Sequence, residues 1–178
     1  KLSAIAIAGR ETGDMCAFGS GDGAGLTTGQ VAALTSAQVN ALSTAQLGAM
    51  SAAQVGALSA AGLAGLGTAA TVALSTAQAA ALGSAQIAGI KAASITAMET
   101  ADVAALTSTA IKGLTAAQTI ALTTAQVAAL SSVQIAGLST ASVSRLETAD
   151  IVALGTANLA TLSTTQVSAL TSAQVKAL

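Results

Sequence analysis

The sequence contains no proline, histidine, tryptophan or tyrosine, one phenylalanine (Phe18) and one cysteine (Cys16). Each absence excludes something. Without histidine, a Ser–His or Cys–His nucleophile cannot be assembled. A single thiol cannot form an internal disulfide, and Cys16 is read as an intermolecular bridge or a buried thiol before a nucleophile. With Phe18 as the single aromatic there is no set of stacking platforms for single-stranded nucleic acid and there are no girdles for a membrane β-barrel. Charged residues make up 7% of the chain and the net charge is −1. That leaves no basic surface for a phosphate backbone, so nucleic acid is excluded as a partner.

Hydrophobic residues reach 53%, and mean hydropathy is +0.74. Much of this is alanine, which fills little volume. The longest stretch free of Ser, Thr, Gln, Asn and charge is residues 60–67. A spanning helix needs roughly 20 apolar residues, so no transmembrane helix is expected. Such a composition builds a thin core repeated along an axis, not one thick core.

The repeat is explicit. Leu or a close substitute recurs every eight residues from Leu26 to Leu178, through Met50, Ile90 and Met98, without insertion, giving nineteen octads. Slots are numbered from one anchor to the next. Slot one is Ser, Thr or Gly, with Lys91, Glu99 and Glu147 as exceptions. Slot two is Ser, Thr or Ala, and slot three nearly always Ala. Slot four is Gln in eleven octads, with Asp102, Asp150 and Asn158 as polar variants. Slot five is Val, Ile or Leu except at Thr71, Ala79 and Thr119. Slot six is variable, slot seven is Ala or Gly except Arg145 and Thr161, and slot eight is the anchor.

Two architectures compete for this pattern. In the first, slot-one Ser or Thr is a helix N-cap and slot-four Gln completes a capping box, as in Ser43 with Gln46 and Ser75 with Gln78. Slots five and eight then share one helix face. A continuous helix is excluded, because eight residues at 3.6 per turn leave about 80° of drift per octad. The expected fold is therefore all-α, a solenoid of very short capped helices. In the second, slots three, five and seven face inward in a β-solenoid with the same octad. Abundant alanine and scarce turn residues argue against strands.

Glu99-Thr-Ala-Asp102 recurs as Glu147-Thr-Ala-Asp150, six octads further on. This six-octad block fits three coils of two octads or two coils of three. Residues 1–25 are read as a separate arm, linker or docking segment: a plausible strand over residues 1–9, then the glycine-rich run Gly19-Ser-Gly-Asp-Gly-Ala-Gly25. Residues 26–178 are read as the solenoid.

No catalytic, cofactor-binding or metal-binding residue is expected. The Ser and Thr residues occupy a capping slot. The two carboxylate pairs would hold a metal only if stacked; otherwise the Glu complements a helix dipole and the Asp replaces Gln in the cap. Gly21-Asp22-Gly23 is one degenerate copy of a calcium-binding glycine-rich motif, which needs several copies. The same glycines lack the Lys of a phosphate loop.

The octads Leu-Thr-Thr-Ala-Gln-Val-Ala-Ala (residues 122–129) and Leu-Ser-Thr-Ala-Gln-Leu-Gly-Ala (residues 42–49) resemble octapeptide-repeat tracts of large bacterial surface and secreted proteins. The resemblance implies an extracellular or cell-surface location and a role as filament or adhesin shaft. The expected partner is the chain itself, head to tail, together with a cell surface or matrix. The expectation is a structural protein and not an enzyme. The alternative is a repeat-surface binding module for a polysaccharide, ice or another ligand.

Overall fold

The structure is a computed structural model that describes Gly9 and residues 24–178. Every element among the described residues is a short helix: α1 (Thr28–Ala32), α2 (Ser36–Ala41), α3 (Thr44–Ala49), α4 (Ala52–Ala57), α5 (Ala60–Leu63), α6 (Thr68–Val72), α7 (Thr76–Ala80), α8 (Ser84–Gly89), α9 (Ala92–Ala97), α10 (Thr100–Ala105), α11 (Ser108–Ile111), α12 (Ala116–Ala121), α13 (Thr124–Ala128), α14 (Ser132–Gly137), α15 (Thr140–Val143), α16 (Thr148–Leu159), α17 (Thr164–Ser168) and α18 (Ser172–Lys176). The helix assignment of the octad holds and the strand alternative falls. Each octad supplies one helical unit. α16 spans two octads, broken at Gly155, whose φ of 72° is the only positive φ among the described residues.

The local chemistry explains the bends. Slot one is extended at each helix start (Thr123 φ −77°, ψ 153°), and where it is Ser or Thr its side-chain oxygen accepts the N–H of slot four. The slot-four Gln side chain reaches back to the slot-one N–H, as in Thr123 N to Gln126 Oε1 at 2.8 Å. Every described octad that pairs Ser or Thr with Gln forms this box. The anchor then turns extended, as at Leu122 (φ −62°, ψ 138°), and the next cap follows at once.

Such helices are far below the roughly 12 residues needed for isolated stability, so packing must hold them. Slots five and eight provide it. Val31, Leu34, Val39, Leu42, Leu47 and Met50 begin a buried column that continues to Ile151 and Leu154. Thr71 and Thr119 occupy slot five without leaving an orphan hydroxyl. Each donates to the carbonyl four residues earlier, Gly67 O and Thr115 O.

The coil contains three octads. α5 packs on α2 and α8, and α9 packs on α6 and α12. Each helix therefore lies on the one three octads earlier, and the six-octad block is two coils of three. The solenoid has three faces. The first carries α1, α4, α7, α10, α13, the first half of α16, and α18. The second carries α2, α5, α8, α11, α14 and the rest of α16. The third carries α3, α6, α9, α12, α15 and α17.

Coils approach closely along the second face. Gly65, Gly89, Gly113 and Gly137 occupy slot seven there in successive coils. A Cβ on any of them would run into the slot-two carbonyl of the coil before: Ser36, Ala60, Ser84 and Ser108 O, respectively.

Candidate functional site: the glutamine ladder and the carboxylate face

In the helical reading of the sequence, slot-four Gln is a capping residue alone; only the strand alternative aligns it into ladders. The structure gives it a second role. Gln78 Nε2 donates to Leu47 O (2.9 Å) and Met50 O (2.7 Å), the carbonyls closing α3. Gln118 does the same for Ile87 O and Ile90 O, both at 2.6 Å, at the end of α8. Gln54, Gln86, Gln126, Gln134, Gln166 and Gln174 follow the same register. One amide thus satisfies an orphan N–H at the start of its own helix and the orphan anchor carbonyl at the end of a helix in the preceding coil, and adds a second donor to the slot-five carbonyl where it reaches it. This explains why slot four is buried, with Gln118 2% exposed.

Shorter side chains keep part of the ladder. Ser94 Oγ donates to Leu66 O at 2.9 Å, Ser142 Oγ to Leu114 O at 3.4 Å, and Asn158 Nδ2 to Leu130 O at 3.3 Å. In every case the acceptor is the anchor carbonyl of the preceding coil, in the same register.

All four carboxylate side chains among the described residues lie on the first face, within the octads that carry α10 and α16. The two pairs share a face but are not brought together, because the octad of Gln126 lies between them. No group of three or more metal-ligating side chains forms among the described residues. Asp150 replaces Gln in the cap as expected: its carboxylate accepts from Glu147 N (3.1 Å) and from Thr124 Oγ1 (2.9 Å) in the coil below. Asp102 departs from that expectation. No side-chain cap bond forms at Glu99, and Asp102 Oδ2 is buried without a partner. Burial, and secondarily the neighbouring Glu99 charge, raise the Asp102 pKa.

The first face also carries a row of exposed slot-two threonines: Thr76, Thr100, Thr124 and Thr148. Cys16, the strand read over residues 1–9 and the Gly21-Asp22-Gly23 motif lie outside the described residues, Gly9 excepted.

At the C-terminal end the slot pattern changes. Val127 and Ile151 are 0% exposed in slot five, whereas Val167 and Val175 in the same slot are 50% and 54% exposed, and Leu178 is 64% exposed. No helix among the described residues is long and apolar enough to cross a membrane.

Stacked short helices tied by one polar ladder define an α-helical solenoid repeat protein. Comparison with known families gives the particular one: the ALTTAQ repeat matches residues 7–44, 39–68, 95–132 and 143–178, well over half of the chain, which therefore belongs to that family. The six-residue string itself stands at residues 121–126, running from slot seven through the anchor to the ladder Gln. The first match begins within the segment that the sequence reading sets apart as residues 1–25. No curated protein and no solved structure matches the chain.

Proposed function

We propose that this chain is a structural segment or subunit of an extracellular filament or adhesin shaft, and that copies assemble end to end by stacking octad coils. The observation that carries this reading is the ladder, in which the slot-four amides of one coil donate to the anchor carbonyls of the coil before it in one unchanging register. At internal joints, slot-four amides of the following coil donate to the anchor carbonyls of the coil below. Leu154, Leu162 and Leu170 hold that anchor position in the last coil. The following side of a coil is apolar at its centre and offers hydrogen-bond acceptors at its edge, which matches the amide-donating side of another octad coil. The occupant of this face is a second copy of the chain. A head-to-tail contact of this kind does not close into a ring, so it propagates as a fibre. The low surface charge and Ala-rich sides offer little repulsion between neighbouring fibres. The arm of residues 1–25, expected to take part in the joint, lies almost wholly outside the described residues.

Light scattering or sedimentation against concentration tests the proposal. The parent chain is expected to form species larger than a monomer. Val175→Glu is expected to abolish them while leaving the helical circular dichroism intact. A parent chain that stays monomeric at high concentration overturns the reading, as does association unaffected by Val175→Glu and Val167→Glu together.

A further inference from the structure

We propose that Asp102 is a proton-operated joint between two coils: as a neutral acid it donates a hydrogen bond to Leu74 O and closes the ladder, and as a carboxylate it leaves that joint open. The register identifies the acceptor. Every ladder residue donates to the same anchor carbonyl of the preceding coil: Gln78 to Met50 O below this position and Gln126 to Met98 O above it. For Asp102 that carbonyl belongs to Leu74. Reach is not limiting, because Asn158, which has the same length and shape, spans the equivalent gap to Leu130 O. Ser94, one atom shorter still, spans it to Leu66 O.

An ionised carboxyl accepts only, and carbonyls accept only. Two acceptors facing each other away from water need a proton between them. Asp102 is 1% exposed, and its Oδ2 has no partner. Asp150 shows how the same quartet satisfies an ionised side chain, with donors from Glu147 N and Thr124 Oγ1. Neither type of bond forms at Asp102. α10 packs on α7 and α13, and neither carries a charged side chain; the one titratable neighbour is Glu99, whose negative charge also favours the neutral acid.

The folded pKa is raised above the unfolded value of about 3.9. The stability from this joint is therefore fully present below that value and is lost as pH rises through the folded pKa.

The test is thermal unfolding by circular dichroism from about pH 4 to about pH 8, on either side of the expected titration, for the parent, Asp102→Asn and Asp102→Ser. Both variants carry a donor at every pH. Asp102→Asn is expected to melt several degrees above the parent at the alkaline end and with it at the acid end. Asp102→Ser is expected to show the same narrowing of its offset towards acid. An offset independent of pH, or an Asn variant less stable than the parent at the alkaline end, overturns the proposal. Carboxyl-carbon NMR supplies a second reading: the Asp102 signal is expected to titrate above the ordinary aspartate range, and a midpoint at or below about 3.9 overturns the assignment.

Discussion

Replacing Gln118 with alanine removes three hydrogen bonds of known geometry. Thr115 N loses its acceptor at 2.8 Å, and Ile87 O and Ile90 O lose donors at 2.6 Å. The losses are unequal. The Thr115 hydroxyl still caps Gln118 N, so half of the box survives and about 1 kcal/mol is lost there. Ile87 O retains the Ile90 N–H at 3.1 Å. Ile90 O, on an extended anchor between two helices, depends on Gln118 and is stranded in a buried position, which costs about 2 kcal/mol. The sum is about 3 kcal/mol, or roughly 6–12 °C in Tm for a chain of this size. Gln118→Ser provides an internal calibration. Ser94 and Ser142 hold the same slot on the same face, one coil to either side, and each reaches its anchor carbonyl. The serine variant is therefore expected to recover the Ile90 bond and lose about half as much. Melting curves by circular dichroism, with amide exchange at Thr115 as a local readout, measure both variants. A Gln118→Ala shift below about 2 °C would refute the idea that the ladder holds the coils together.

Three further substitutions separate packing from backbone effects. Gly113→Ala drives a Cβ into Ser84 O of the preceding coil and is expected to destabilise by about 1–3 kcal/mol in urea denaturation. Gly48→Ala meets nothing within 4 Å inside α3 and is expected to stabilise by about 0.5–1 kcal/mol in the same assay. Thr119→Val restores the usual slot-five residue. The Thr115 carbonyl keeps its bond from Thr119 N, so a gain of up to about 1 kcal/mol is expected in thermal unfolding.

Much of the fold is legible locally. Ser43 with Gln46 announces a helix start from four consecutive residues, and the spacing of Val39 and Leu42 announces the buried face. Anything within one octad could be read this way, because the interactions close within a single helical turn. The number of octads per coil depends on contacts between octads three or more places apart, and one octad carries no record of it. One signal did exist: Gly65, Gly89, Gly113 and Gly137 recur in every third octad, where the variation within slot seven looks arbitrary until the coils are stacked. The second role of Gln was hidden for the same reason. Its Oε1 partner is local, while its Nε2 partners lie a coil away. Asp102 and Asp150 are indistinguishable by motif, and only the side-chain bonds formed in the structure separate a satisfied carboxylate from a stranded one.

The three-octad coil imposes two nested counting rules on any change of length. Removing one octad would leave every cap and every core slot in phase, because each unit is locally complete. It would also turn everything downstream by a third of a revolution. With the loss upstream of them, Gly113 and Gly137 would leave the face where the backbones meet, and Ala121 and Arg145, each with a Cβ, would arrive there. Losing or gaining three octads together would move nothing from its face. The chain therefore behaves like a three-toothed gear: it tolerates slippage by whole revolutions, and a single tooth puts every face out of mesh. The six-octad spacing of the two Glu-Thr-Ala-Asp quartets is two whole revolutions.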